Sequence, residues 1–297
     1  MSVSLPLVID RIHVTVAVPS KTLFGLLISQ LYEILSLQED IFPTGKIKLI
    51  KKDYYTQLDF SQSPDRKTAE IIAGSTKSKH LYFKLVLYLT KFKQEEFENF
   101  KHILNVLLSE WAYEKLLFQS RVSYLEIAKD FVNKAYPEFF PYHPNVKLSK
   151  IYFGKKDGEK GSTNLGSVAS VRRFCVYDKA KQLVEEQSGS NFEKLIRVEV
   201  RLRKTGMSPY ELLEGLENPF HGLRILSVQK LLSTSQEEAW LAFVEQCRCV
   251  GTAQALGACS KQNRKLYKTR LDDASVDWWD SSKTWAGWPA AFAAIVP

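Results

Sequence analysis

A tyrosine two residues ahead of a lysine, Tyr177 and Lys179, could do phosphodiester chemistry with a glutamate set among arginines, Glu199 with Arg197, Arg201 and Arg203. A phenol is a weak nucleophile at its ordinary pKa of about 10, and a nearby cation favours the phenolate. A glutamate flanked by arginines stays ionised and can ligate a divalent metal, which would polarise the scissile phosphate. The arginines themselves present forked donors to phosphate oxygens. A ladder of ion pairs across a sheet surface would show the same alternation. Spacing alone leaves both readings open.

These residues fall in 171–203, which reads as two β-strands joined by a helix or loop. Side chains two apart on a strand share a face. Arg173, Tyr177 and Lys179 are therefore expected together on the first strand. The second is expected to carry Arg197, Glu199, Arg201 and Arg203 on one face, with Ile196, Val198, Val200 and Leu202 on the other. A further acid is sought on RVSYLEIAKDFV (121–132), where Tyr124, Glu126 and Asp130 share a face. Glu126 and Asp130 would stand about 13 Å apart, too far to chelate one ion together. Glu126 is thus the candidate partner of Glu199, and metal binding otherwise rests on isolated histidines such as His13 or His80. Residues 155–167, KKDGEKGSTNLGS, lack the glycine spacing of a P-loop. They read as the basic tip of a hairpin returning through Arg172–Lys179, with Lys155, Lys156, Arg172 and Arg173 placed to follow a nucleic-acid backbone.

Charge supports a polyanionic partner. The chain carries +8 overall, and residues 147–204 hold 14 Lys/Arg against 7 Asp/Glu, a net +7. The four cysteines form no C-x-x-C pair and read as reduced, mostly buried thiols. No apolar run approaches the roughly 20 residues of a membrane span, and the N-terminus shows no basic segment before a cleavable apolar one. The expected location is the cytoplasm, with no membrane partner.

The elements that must position these residues follow from periodicity. Strands are predicted at 5–18, 46–60, 68–73, 80–90, 121–132, 148–154, 171–180 and 195–203. Helices are predicted at 20–38, capped by Ser20, at 94–118, and at 209–216, with 133–146 a loop. Residues 224–297 read as helical, with a Ser235/Glu238 capping box, Gly251 as a C-cap and a basic helix at 261–271. Trp278, Trp279, Trp285 and Trp288 read as packing anchors rather than base-stacking platforms. The fold class is α+β: an antiparallel-rich central sheet with helices on one face, then a helical C-terminal region. The predicted domains are 1–223 and 224–297.

Several segments together, RVSYLEIAKDF, IYFG, a Gly/Lys loop, VRRFCVYDKAKQL, LIRVEVRLRKTGMSPYELL and the tryptophan-rich tail, resemble the replication initiators of filamentous phages of the gene II and gene X type. The resemblance runs from about residue 80 to the end. It implies a rolling-circle Rep-like fold and a metal-dependent DNA nickase, found in a bacterial host cell. The tyrosine of such enzymes attacks one origin strand, forming a 5′-phosphotyrosyl link and a 3′-OH primer, and the strand is later rejoined. On that resemblance Tyr177 is the nucleophile, Lys179 its accompanying lysine, and Glu126 and Glu199 the ligands of Mg²⁺ or Mn²⁺. Origin DNA is the implied partner, with host helicase and polymerase as further ones. The two-histidine H-x-H motif of many rolling-circle enzymes is absent from the sequence. A mobilisation relaxase of the same chemistry, or a non-catalytic DNA-binding repressor on this fold, are the alternatives.

Overall fold

A computed structural model describes residues 4–38, 46–52, 55–61, 66–75, 80–109, 116, 118–153, 160–185 and 192–293. The chain forms two compact units. The N-terminal unit takes Ile9–Glu126, Arg203–Leu216 and Phe292–Pro297, and the C-terminal unit takes Met1–Val8, Ile127–Leu202 and Glu217–Ala291. The boundary expected after residue 223 falls inside the second of these.

The N-terminal unit is built on alternation. In β1 (Val8–Ala17), Ile12, Val14 and Val16 are buried while Arg11, His13 and Thr15 alternate with them. Helix α1 (Lys21–Ser36) starts at Ser20, whose hydroxyl accepts the Leu23 N–H at 3.1 Å, and it buries Leu27, Leu31 and Ile34. The strand expected at 46–60 is a hairpin instead. β2 (Lys46–Lys52) and β3 (Tyr55–Ser61) pair antiparallel from Lys46–Ser61 to Lys52–Tyr55. One extended strand of that length would run about 50 Å, far beyond its neighbours, and folding back lets both halves pair. β4 (Lys67–Ser75) and β5 (Leu81–Leu87) continue the antiparallel ladder, and β5 pairs with β1. Helix α2 (Gln94–Leu107) packs Phe100 edge-on against Phe60 at 5.1 Å. It stops at Leu107, short of the expected 118; Trp111 lies outside the described residues. Strand β6 (Arg121–Val132) follows as expected.

The C-terminal unit contains two strands that periodicity hid. β7 (Phe139–Tyr142) lies within the expected loop. The basic hairpin contains an extra strand: β8 (Ser149–Phe153) pairs with β9 (Lys160–Leu165), and β9 in turn pairs with β10 (Arg172–Asp178). A short helix α3 (Lys179–Glu185) joins β10 to β11 (Leu195–Arg203). Helix α4 (Pro209–Gly215) belongs to the N-terminal unit and opens with a Ser208/Glu211 capping box.

Strand β12 (Arg224–Ser227) pairs with β7, so residues 224–297 are not purely helical. After it come α5 (Val228–Thr234), α6 (Glu238–Val250), α7 (Thr252–Ala258), α8 (Lys261–Asp273), α9 (Ser281–Trp285) and α10 (Trp288–Ala293). α6 is capped by Glu237 with no side-chain cap; Ser235 accepts the Glu237 N–H in place of the expected box. Ten strands are hydrogen-bonded in the order β2-β3-β4-β5-β1-β6-β11-β10-β9-β8, and β12-β7 forms a separate pair. The fold class is α+β with a large antiparallel sheet.

Behind β7 and β12, Phe140, Tyr142, Leu226, Trp240, Phe243, Tyr267 and Leu271 form one buried cluster. The tryptophans anchor by their polar edges too: Trp240 Nε1 donates to Leu231 O at 2.8 Å and Trp279 Nε1 to Leu223 O at 2.9 Å. Among the described residues no helix is long and apolar enough to cross a membrane.

Candidate phosphodiester site

Strand register builds the site within the C-terminal unit. Arg173 stands opposite Arg201, Cys175 opposite Glu199, and Tyr177 opposite Arg197. On the other side of β10, Cys175 faces Asn164 and Tyr177 faces Ser162; these face Lys150 and Tyr152 of β8. Residues paired across an antiparallel ladder share a sheet face. One face therefore carries Tyr177, Glu199, Arg173, Arg201, Asn164 and Lys150, while the other packs Phe174, Val176, Val198 and Val200 into the core.

At the centre, the half-buried Tyr177 hydroxyl donates to Glu199 Oε2 at 3.2 Å. Glu199 is 1% exposed, and Arg201 Nε donates to its other oxygen at 2.5 Å. Two orphaned polar atoms lie on the same face: Arg173 Nε and Asn164 Oδ1 are buried without a hydrogen-bond partner among the described residues. Buried polar groups are normally paired, so these two are suited to a polar ligand. Asn164, Lys150 and Ser162 were not singled out from the sequence. Ser162 and Asn164 were hidden because β9 was read as loop, and Lys150, on a strand that was expected, joins the face only through its pairing with β9.

Several expected positions are corrected. Lys179 does not share the strand face of Tyr177: β10 ends at Asp178, and Lys179 opens α3 with its Nζ bonded to Gln182 Oε1 at 3.0 Å. The cause is local, since Asp178 Oδ1 accepts the Lys181 N–H at 2.9 Å and so starts a helical turn. Arg197, expected at a DNA surface, is 4% exposed; its Nε and Nη2 grip both oxygens of buried Asp130 at 2.7 Å. Arg172 falls on the face of Phe174, donating to Pro219 O at 3.4 Å and lying 3.5 Å from His143 Nε2. Lys155 and Lys156 lie outside the described residues.

Glu126 and Arg203 belong to the N-terminal unit. There Arg11 grips Glu126 through Nη2 at 2.5 Å and Nε at 3.2 Å, and the Tyr124 hydroxyl also donates to it. Burial works against the Arg11 charge, yet its hydrogen bond and charge pairing with Glu126 hold the guanidinium pKa above its ordinary value. Arg203 sits over the Tyr124 ring at 5.7 Å, and His13 lies beside that ring at 4.7 Å. Burial, with Lys84, Arg11 and Arg203 nearby, pushes the His13 pKa down to about 3.

With the geometry in view, comparison with known proteins adds the following. No family model and no curated protein matches the chain. A solved structure is similar. The rolling circle replication initiator protein from Geobacillus stearothermophilus aligns over 83% of this chain and 98% of its own, with 13% identity and a TM-score of 0.42. The di-domain ARO/CYC StfQ from the steffimycin biosynthetic pathway aligns over 89% of this chain at 8% identity and a TM-score of 0.16. Neither likeness assigns an activity to this chain.

The donor set does not fit a divalent ion as it stands. Both Glu199 oxygens and both Glu126 oxygens already accept from arginine or tyrosine. Among the described residues no three His, Cys, Asp or Glu side chains gather into a cluster able to hold a metal.

Proposed function

We propose that this chain nicks and rejoins one strand of DNA through Tyr177, as an initiator of rolling-circle replication. The observation that carries the reading is the Tyr177 hydroxyl bonded to buried, arginine-held Glu199 on an arginine-bearing sheet face. A surface ladder would leave the glutamate exposed, whereas Glu199 is 1% exposed; Tyr124, Glu126 and Arg11 form a group of the same kind in the N-terminal unit. The sequence resemblance implies the same tyrosine as nucleophile.

In this reading the Tyr177 oxygen attacks the phosphorus of a DNA strand. Its proton passes to Glu199 as the phosphotyrosyl bond forms and the P–O3′ bond breaks. The departing 3′ oxygen takes a proton from water and becomes the 3′-OH primer. Arg173 and Arg201 meet the phosphate oxygens, and Arg201 also orients Glu199. Attack by the 3′-OH on the phosphotyrosine reverses the steps and rejoins the strand. Among the described residues no three side chains gather to hold Mg²⁺ or Mn²⁺, so no step is assigned to an ion.

The test is to incubate the protein with supercoiled DNA carrying its replicon's origin, with and without Mg²⁺, and to map the DNA-linked peptide by mass spectrometry. The expected result is an adduct on Tyr177, lost in Tyr177→Phe. An adduct on another residue, or none, refutes the assignment.

A further inference from the structure

We infer that α7 and α8 form a duplex-reading element, with α8 entering the major groove at a surface of its own; the inference rests on the DNA reading above. α7 ends at Ala258 and α8 begins at Lys261, so Cys259 and Ser260 alone separate two helices. Two helices across a tight turn are the form in which a helix-turn-helix presents its second helix to DNA.

The turn is held rigid. Arg264 reaches back from α8 to cap α7, with Nε donating to Leu256 O at 2.9 Å and Nη2 to Gly257 O and Cys259 O at 3.0 Å each. Ser260 caps α8 by accepting the Asn263 N–H at 3.2 Å. α7 is itself fixed to the sheet: Gln254 Oε1 accepts the Ser149 N–H at 2.7 Å, and Thr252 Oγ1 donates to Pro141 O at 3.0 Å. On the inner side of α8, Tyr267 and Leu271 are buried against Trp240 and Phe243.

The outer side has the chemistry of a reading surface. Lys261, Lys265 and Lys268 recur at i, i+4 and i+7 and so form one stripe, with Gln262 and Thr269 beside it. No acid occurs from Lys261 to Leu271. On other helices Lys101 pairs with Glu98 and Arg248 with Glu245, and on α8 itself Arg270 pairs with Glu237. Among the described residues no carboxylate pairs with the three lysines of α8. A solvated helix surface usually mixes signs; from Lys261 to Thr269 the exposed side of α8 holds cations, amide and hydroxyl groups and Leu266, and its acids, Asp272 and Asp273, come only in the last turn, with Asp272 paired to Arg224. An α-helix fits the major groove, where lysines meet phosphates or guanine and a glutamine side chain can read adenine.

The experiment is selection of binding sites from a randomised duplex library by the full chain, followed by affinity measurement on the selected duplex. Duplex binding needs no strand cleavage, so a chain that selects a duplex yet forms no adduct refutes the nicking reading alone. Wild type is expected to enrich a defined sequence. The Gln262→Ala variant should bind that duplex about tenfold more weakly and relax the preference at one or two base pairs, with an unchanged salt slope. The triple variant Lys261→Gln, Lys265→Gln and Lys268→Gln should lose affinity across all sequences and flatten the salt dependence, with its melting midpoint unchanged. Failure of wild type to enrich any sequence overturns the inference. So does wild-type affinity and preference in both variants, which would place the cationic stripe against another partner such as an acidic protein.

Discussion

Glu199 answers to two partners at once, accepting from Tyr177 on one oxygen and from Arg201 on the other. If it takes the phenol proton, Glu199→Gln should slow adduct formation by about 100-fold or more in a single-turnover assay, with single-strand binding retained. Asp130 and Arg197 are a different case, a buried bidentate pair whose arginine stands opposite Tyr177. Asp130→Ala removes the carboxylate that holds a buried guanidinium by two hydrogen bonds and should cost about 3–5 kcal/mol in urea denaturation. Asp130→Leu with Arg197→Met should recover most of that loss, because both charges then leave together. His13 sets an acid limit. The unfolded chain binds a proton there below about 6.5, while the folded protein resists it until about 3. Stability from neutral His13 is therefore whole above that upper value and is lost as pH falls through the interval. Thermal midpoints between pH 7 and 4 should drop less in His13→Gln than in wild type.

At the scale of elements, turns decide where chemistry ends up. Asp178 stops β10 one residue before Lys179, so the lysine is carried onto α3. Gly251 makes the turn between α6 and α7 with φ 89° and ψ 157°, a region open to glycine alone. A Cβ there would also meet the Ser149 hydroxyl oxygen well inside contact distance. Gly251→Ala should destabilise the protein by about 1–3 kcal/mol or more, read as a lowered denaturation midpoint. The same change displaces α7, so duplex binding through α8 should weaken with it.

For the molecule as a whole, charge placement is what would govern the proposed nucleic-acid affinity. The net +7 of residues 147–204 includes Arg173 and Arg201 beside Tyr177, and Lys150 shares their sheet face. Affinity for single-stranded DNA should fall linearly with log salt, and Lys150→Ala should reduce the slope by about 0.7 if that lysine meets a phosphate. Period-two alternation was enough to read β6, β10 and β11, and with them the shared face of Tyr177, Glu199 and Arg201, because a strand's two faces are a local property. β7 and β9 were not legible: one is four residues rich in proline and aromatics, the other is six residues, Lys, Gly, Ser, Thr, Asn and Leu, with a single large apolar side chain, and each is a strand because a partner strand lies beside it. Register was beyond reach for the same reason, so Asn164 and Lys150 emerged only from pairing. By itself the sequence determined the fold class and the tyrosine, glutamate and arginine of one sheet face. Tertiary structure alone decided that Arg197 is spent on Asp130, that both glutamates are already held, and that Lys179 leaves the strand. Those outcomes depend on which side chain a neighbouring strand or turn brings within hydrogen-bond reach, and no spacing along one chain contains that distance.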